Sequence, residues 1–479
     1  MRKEDLHRAD DTIAAISTPV GESGIGIVRL SGKKALKIAD KVFMAKLGGR
    51  PSKFKTYTVH YGHIVKGAIR GDKGKEGTVR EIIDEVILTV MRAPKSYTKE
   101  DIVEINCHGG ITALRKALEL VLEKGARPAE PGEFTKRAFI NGRLDLAQAE
   151  AVLDIIKAKT ENSMRIAEDQ LGGSLSRKIR ALRESLAGVL AELEARIDFS
   201  EDDIDFAPRG AILKRLREAE KKTRGMLKDS KKGMLFKEGV LCVICGRPNA
   251  GKSSLMNAFL KTQRVIVTPV PGTTRDAVEE ELVLGGVPVR IADTAGISAK
   301  SGLVEKHGVK KARSYIKRAD LVLFMLDSGK RWGREDSRIL KDIKGKEKIV
   351  VANKSDLKKK LDTEKVKKLT GESKIIEISL LKRRNLEALE KAVAGRIWHG
   401  RVPAPEGYFV TNLRQARELA EASRRLGNGI ALIEGGSPGA WELSASLIKE
   451  AEFFLGAILG DSAEPDILDK VFGRFCIGK

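Results

Sequence analysis

The sequence predicts a multidomain chain of mixed α+β and α/β character, and three observations predict it. Residues 240–397 alternate strand-like apolar runs, beginning at Val240, Val287, Leu321, Lys348 and Lys374, with helix-compatible segments. That is the pattern of a P-loop domain built on a doubly wound, mostly parallel sheet. Residues 1–120 instead mix short β-like runs with helices. From Leu144 helical periodicity takes over, stops at the α/β segment and resumes after Pro403 and Pro405. The α/β domain is therefore expected to be inserted between two halves of one helical domain, with bounds at 1–125, 126–235, 236–398 and 399–479.

The amino-terminal β-like runs are Asp11 to Ser17, Ile25 to Leu30, Ile82 to Met91 and Asp101 to Cys107, with helices around Lys33 to Phe43 and Thr112 to Glu123. Lys66 to Arg80 is Gly- and Lys-rich with little apolar content and reads as a hairpin tip or mobile loop. Helices are expected over Leu144 to Lys157, Ser163 to Leu171, Leu175 to Ile197 and Ala211 to Leu227, then over Thr411 to Leu426, Trp441 to Ile458 and Pro465 to Phe472.

Within the α/β segment the chemistry is concentrated in ordered motifs. Gly246-Arg-Pro-Asn-Ala-Gly-Lys-Ser-Ser254 follows an apolar strand and opens a helix, the context a phosphate-binding loop requires. Its glycines let successive backbone N–H groups point at a β-phosphate. Lys252 can reach β- and γ-phosphate oxygens, and the Ser253 hydroxyl can ligate Mg²⁺. Asn249, Ala250, Gly251, Lys252, Ser253 and Ser254 are thus candidate nucleotide contacts. Asp293, Thr294, Ala295 and Gly296 close the next strand, where a carboxylate would stand near Mg²⁺. Pro271-Gly-Thr-Thr-Arg-Asp276 lies between these motifs, where a switch loop must carry a threonine to the metal. Asn353, Lys354, Ser355 and Asp356 follow a further strand. An Asn/Asp pair there can read guanine, because the Asp356 carboxylate accepts from the ring N–H and the exocyclic amine. Four such motifs in order predict a GTP-binding domain.

Composition bounds the rest. The longest apolar runs fall far short of a membrane span, and the first residues lack a signal-peptide core, so a cytoplasmic location with no membrane partner is expected. Four scattered cysteines make no disulfide framework, and Cys242 and Cys245 read as buried packing in the strand before the phosphate loop. The net charge of +23 favours a polyanionic partner, RNA or DNA ahead of a membrane. Lysines cluster at Lys214 to Lys237 and at Lys358 to Lys368, each readable as a solvated face or as a nucleic-acid contact.

From about residue 11 to its last residue the chain resembles the MnmE (TrmE) family of tRNA-modification GTPases. The resemblance rests on Asp11-Thr-Ile-Ala-Ala-Ile-Ser-Thr-Pro19, Gly26-Ile-Val-Arg-Leu-Ser-Gly32, His108-Gly-Gly110, Pro131-Gly-Glu-Phe-Thr-Lys-Arg-Ala-Phe139, Leu144-Asp-Leu-Ala-Gln-Ala-Glu150 and the terminal Phe475-Cys-Ile-Gly-Lys479. It implies a folate-binding-like α+β amino-terminal domain that forms a homodimer. It also implies installation of an aminomethyl-type, carbon–nitrogen-linked substituent at carbon 5 of the wobble uridine of certain tRNAs. The implied partner is the flavoprotein MnmG (GidA), in a heterotetramer, and the implied one-carbon donor is 5-formyl- or 5,10-methylene-tetrahydrofolate.

By position Arg29, Glu104, Arg143 and Lys479 match the family's folate contacts, although position 143 can be Lys in the family. Cys476 matches a cysteine that matters for modification; read on its own it is either a small buried residue or a functional thiol. Ile297 stands where many small GTPases place a water-orienting glutamine, and the family's substitute, a glutamate after switch II, matches Glu305. The family also uses K⁺ at paired GTPase domains. Here Asn249 and oxygens of Thr268, Val270 and Thr273 would coordinate it, and Ser253 with Thr274 would serve Mg²⁺. Pro269, Pro271 and Gly272 complete that switch segment, and Ser379, Leu380 and Leu381 form the guanine-supporting loop. Two positions depart from the family pattern: Ser298, where some members carry Arg, and Leu380, where alanine is usual. The competing reading is a GTP-switched RNA-binding ribosome-assembly factor without modification activity, and a third is a scaffold whose GTPase sets dimer geometry.

Overall fold

The computed structural model describes residues 11–67, 81–199, 206–263, 279–284, 286–293, 313–397, 409–462 and 465–479. In chain order the described elements begin β1 (Ile13–Ile16), β2 (Gly26–Ser31), α1 (Ala35–Val42), β3 (Phe43–Ala45), β4 (Thr58–Lys66), β5 (Glu81–Met91), β6 (Ile102–Cys107), α2 (Ile111–Glu123), β7 (Arg127–Pro128) and α3 (Glu133–Ile140). Helices α4 (Leu146–Lys157), α5 (Glu161–Leu171), α6 (Ser174–Asp198) and α7 (Arg209–Glu238) follow. The α/β segment holds β8 (Val240–Gly246), α8 (Lys252–Gln263), β9 (Glu279–Leu284), β10 (Val287–Asp293), β11 (Leu321–Asp327), α9 (Arg334–Asp342), β12 (Lys348–Asn353), α10 (Thr363–Thr370), β13 (Ile375–Glu377) and α11 (Leu386–Ile397). Helices α12 (Leu413–Gly435), α13 (Ala440–Leu459) and α14 (Pro465–Phe472) close the chain. The chain forms two compact units: Met1–Leu153 with Leu171–Leu216 and Arg425–Lys479, and Asp154–Gln170 with Arg217–Arg424.

The first unit contains a seven-stranded sheet in the order β3-β4-β5-β6-β2-β1-β7. Its pairings are antiparallel except for β1 with β7. Helix α1 forms because Ala35, Leu36, Ile38, Ala39 and Val42 recur on one face, and it ends where Phe43 turns extended. With α2 it covers one face of the sheet, and Val28, Leu30, Val86, Leu88, Val103 and Ile105 fill the core between. Strands β3 and β4 were not expected. Thr58 to His63 holds one aliphatic side chain, Val59, and it and Tyr61 are exposed, so no sustained period-2 run of apolar residues marks the strand there. The register of β2 with β6 sets Arg29 opposite Glu104.

Five charged groups brace the entry to α3. The Arg137 guanidinium, almost fully buried, donates to Asp11, Glu100 and Glu133, and Arg127 donates to Asp11 and Glu133. Burial opposes ionisation of Glu133, but the bond from Arg127 and the charge of Arg137 overcome it and hold the carboxyl below its ordinary 4.5. Asp11 is likewise held below 3.8, where hydrogen bonds from Arg127 and Arg137 outweigh burial.

In the second unit a six-stranded sheet runs β13-β12-β11-β8-β10-β9, parallel except for β9. This is the predicted doubly wound arrangement. Central β8 is buried on both faces: Cys242 and Ile244 enter one core, while Leu241, Val243 and Cys245 enter the other. The two cysteines therefore face opposite sides of the sheet and do not form a dithiol pair. Burial pushes the Cys242 thiol up to about 12, with the Asp320 charge adding to it, and raises that of Cys245 as well. Strand β9 also escaped expectation, because its first three residues are glutamates on an edge strand paired only with β10. Helix α7 continues past Leu227 to Glu238, and α12 begins at Leu413. The Gly/Lys-rich segment after Gly67 lies outside the described residues.

Two outcomes are expected from the Arg137 cluster. Replacing Arg137 with Met takes the cation from the part-buried Glu100 and leaves Asp11 and Glu133 to Arg127 alone, and should lower unfolding stability of the first unit by about 3 kcal/mol in urea titrations. Because Asp11 and Glu133 carry lowered values, their stabilisation is complete above pH ~4.5 and is lost as pH falls through their folded values. Thermal melts from pH 6 down to pH 3 should show that loss in the native chain and a smaller one in the Arg137→Met variant.

Candidate functional site

The loop from Gly246 to Gly251 links the buried end of β8 to the first turn of α8. Asn249 takes a left-handed φ of 61°, which asparagine tolerates, and Gly251 sits at 98°. A Cβ on Gly251 would stand 2.3 Å from the Asn353 amide nitrogen, so only glycine admits this close approach. The Lys252 ammonium lies over the loop and donates to the carbonyls of Gly246 at 3.0 Å and Arg247 at 2.8 Å. Burial lowers its pKa, opposed by the Asp293 charge. Ser253 Oγ donates to Asp293 Oδ2 at 2.5 Å. A hydroxyl and a carboxylate at adjacent strand and helix ends form a hard-oxygen pair suited to a divalent cation.

Asn353, at the end of β12, joins this loop to the next. Its Nδ2 donates to the Ala250 carbonyl at 2.9 Å, and its Oδ1 accepts from the Leu380 N–H at 3.3 Å. Ser379 Oγ donates to Asp356 Oδ1 at 2.5 Å and accepts from the Lys382 N–H at 3.1 Å. The Ser379 bond holds the exposed Asp356 carboxyl below its ordinary range. Lys354 Nζ reaches Asp327 Oδ2 at 2.7 Å, and the Ser355 N–H donates to the Ile378 carbonyl. A cavity of about 1140 Å³ lies between these groups, lined on one side by Asn249, Gly251, Lys252, Ser253 and Ser254 and on the other by Asn353, Lys354, Asp356, Leu380 and Leu381. Leu380 thus keeps its backbone contact with the motif despite its bulk. Ala250 is buried beneath the loop.

A second cluster lies in the first unit. Arg29 Nε donates to Glu104 Oε1 at 2.7 Å, and Arg29 Nη1 donates to the Gly478 carbonyl at 3.1 Å. The chain's end is held by two backbone bonds, Phe134 N–H to the Lys479 carbonyl and Gly132 N–H to the Cys476 carbonyl. At Gly478 (φ 94°) a Cβ would stand 2.4 Å from the Ile16 carbonyl, so glycine lets the tail lie against β1. Beside it Ser17 has a buried hydroxyl with no hydrogen-bond partner among the described residues. Arg143 Nη1 donates to the Tyr97 carbonyl at 2.8 Å, with its guanidinium 4.7 Å from that ring's centroid. Burial pushes the Tyr97 phenol up, against a hydrogen bond to Thr135 and the charges of Arg143 and Arg29. Arg29, Glu104 and the end of the chain are therefore gathered, with Arg143 linked through Tyr97. Cys476 is exposed, which overturns its reading as a buried packing residue.

Thr268, Pro269, Val270, Pro271, Gly272, Thr273, Thr274, Thr294, Ala295, Gly296, Ile297, Ser298 and Glu305 lie outside the described residues. Among the described residues no three His, Cys, Asp or Glu side chains group to hold a metal, and no helix is long and apolar enough to cross a membrane.

The family model described as the MnmE helical domain matches residues 146–476, and that of the GTP-binding protein TrmE N-terminus matches 12–143. The tRNA modification GTPase MnmE of Alkaliphilus metalliredigens is 43% identical over 98% of this chain and 99% of its own length. The proteins of the same name from Thermoanaerobacter pseudethanolicus and Bacillus subtilis are 45% and 41% identical, again over 98% of this chain. This chain belongs to the MnmE family of tRNA modification GTPases. GTP is accordingly its substrate and tRNA the molecule its family modifies, so the ribosome-assembly reading loses its ground.

Sequence reasoning missed several residues that hold these two clusters in place. Arg247, inside the phosphate loop, is bonded to the buried Asp336 carboxylate, which also accepts from the Gly333 N–H and so caps α9. The Arg247 carbonyl in turn accepts from Lys252 and from the Ala250 N–H. The partners are 89 positions apart, and nothing local signals the pairing. The Asp327–Lys354 pair and the Tyr97 bridge are equally non-local. Replacing Asp336 with Asn keeps the shape but removes the charge that fixes Arg247. GDP affinity by fluorescent-nucleotide titration should fall about tenfold, which corresponds to ~1.4 kcal/mol, with turnover at saturating GTP little changed.

Proposed function

We propose that this chain is a K⁺-stimulated, homodimeric GTPase that drives modification of the wobble uridine of certain tRNAs together with the flavoprotein MnmG (GidA). The observation that carries the proposal is the pairing of a cavity between the phosphate-loop and Asn353–Asp356 motifs in one unit with the Arg29–Glu104–Gly478 convergence in the other. In the pocket the loop amides of Asn249 to Ser254 would cradle the β-phosphate, and Lys252 would leave its two carbonyl acceptors for phosphate oxygens. Asp356, whose carboxyl the Ser379 bond holds below its ordinary range, would accept from the guanine ring N–H and amine. Ser253 beside Asp293 suits Mg²⁺, with Thr274 completing the set. Asn249, held at the loop's left-handed position, offers a neutral amide oxygen for K⁺, alongside Thr268, Val270 and Thr273. That ion would supply the positive charge other GTPases obtain from an arginine. Glu305 would then position the attacking water in place of the glutamine that Ile297 replaces.

At the amino-terminal site the residues present suit a folate. Glu104 matches the donor edge of a pterin, the cations Arg29, Arg143 and Lys479 match its carboxylated tail, and the orphaned Ser17 hydroxyl offers one more buried polar contact. A bound 5-formyl- or 5,10-methylene-tetrahydrofolate would supply the one-carbon unit. The exposed Cys476 thiol stands on the tail that closes this site and is a candidate participant. A cytoplasmic location, domain bounds at 1–125, 126–235, 236–398 and 399–479, and a heterotetramer with MnmG complete the reading.

Reconstitution with MnmG, GTP, K⁺, a tetrahydrofolate and unmodified tRNA, followed by nucleoside mass spectrometry, should yield modified wobble uridine. Omitting the folate should abolish the product. GTP turnover should rise at least tenfold in K⁺ over Na⁺, and equal turnover in the two salts would remove the ion assignment. A Lys252→Ala variant should lose GTP binding and modification together; full modification by it would reduce the GTPase to a scaffold.

A further inference from the structure

Helix α7 carries a basic stripe that neither site uses. Arg217, Lys221, Arg224 and Lys228 recur at spacings of four, three and four residues, so they share one helix face, and Lys222 flanks them. All five are exposed, whereas Ala219, Thr223, Met226 and Ser230 on the other face are buried. At a rise of ~1.5 Å per residue the cations recur every ~4.5–6 Å along a line of ~16 Å. Over residues 217–228 the helix carries two acidic residues, Glu218 and Glu220, and Glu220 is bonded to Arg224, whose side chain stays 73% exposed. Lys221, Lys222 and Lys228 make no ion pair among the described residues. In the lysine-rich Lys358 to Lys368 segment Lys359 is tied to Glu377 and Lys367 to Glu364.

We infer that this stripe of α7 is a docking rail for the sugar–phosphate backbone of tRNA. The inference rests on the proposed reading that the chain acts on tRNA, and it adds where the polyanion lies. Charge complementarity selects the occupant, since exposed cations at this spacing, with Lys221, Lys222 and Lys228 making no ion pair among the described residues, can meet successive phosphates of one strand and release their counterions. No exposed large apolar side chain lies on α7 among the described residues, which removes the apolar anchor that a membrane surface or a protein interface core would need. Phosphate contacts of this kind position a nucleic acid without reading its bases. The rail therefore orients tRNA and leaves the choice of base to the modification site.

The test is the salt dependence of tRNA binding by the full-length protein. Fluorescence anisotropy with labelled unmodified tRNA would compare wild type, the triple variant Lys221→Gln/Lys222→Gln/Lys228→Gln and a control triple Lys358→Gln/Lys365→Gln/Lys368→Gln over a range of KCl. The α7 variant should bind at least tenfold more weakly near 150 mM salt, and its slope of log affinity against log salt should be shallower by about two. Its GTP turnover without tRNA and its melting temperature should match wild type, because the three lysines are exposed. The control should bind like wild type. An α7 variant with wild-type affinity and slope, or a control that loses as much, overturns the rail while leaving the tRNA reading intact. A wild-type protein that does not bind tRNA at all overturns that reading and the rail with it.

Discussion

The buried amide of Asn353 spans the gap between two loops. One end of its side chain holds the Ala250 carbonyl of the phosphate loop, and the other holds the Leu380 N–H of the loop that lies against the guanine motif. Its two polar ends are both occupied in a site only 3% exposed, which makes displacement costly, since each freed group would be left buried and unpaired. Gly251 exists as glycine because this strut passes where a Cβ would be. The same residue thereby sets the distance between the two ends of the cavity.

Outside that strut the loops are braced from behind by ion pairs at the ends of strands. Arg247 is fixed by Asp336, and Lys354 by Asp327. Each pair turns a flexible cation into a support for the backbone that carries it. Lys252 is held differently, by two loop carbonyls. Phosphate oxygens are stronger acceptors than carbonyls for an ammonium, so the lysine is ready to exchange partners when nucleotide arrives. The amino-terminal unit uses the same economy: one guanidinium, Arg29, reads both a sheet carboxylate and the last turn of the chain.

What could be read from the sequence divides along physical lines. Strands β8, β10, β11 and β12 were legible because both of their faces are buried, so their apolar runs are continuous. Strand β9 hides behind Glu279, Glu280 and Glu281, which an edge position tolerates, and β4 behind polar and aromatic residues on an uncovered face. The Gly246–Ser254 and Asn353–Asp356 motifs stand out in the sequence because contiguous residues make them. Asp336, Asp327 and Tyr97 do not, since each acts on a partner that only the tertiary fold brings near. The Cys-x-x-Cys spacing of Cys242 and Cys245 illustrates the converse: strand alternation sends thiols three residues apart to opposite faces.

The dissociation rate of a fluorescent GDP analogue from an Asn353→Ala variant tests the strut most directly. With both loops released, dissociation should accelerate at least a hundredfold, while circular dichroism and the unfolding midpoint of the amino-terminal unit stay at their native values. A dissociation rate within twofold of the native protein would contradict the claim that Asn353 holds the nucleotide site in shape.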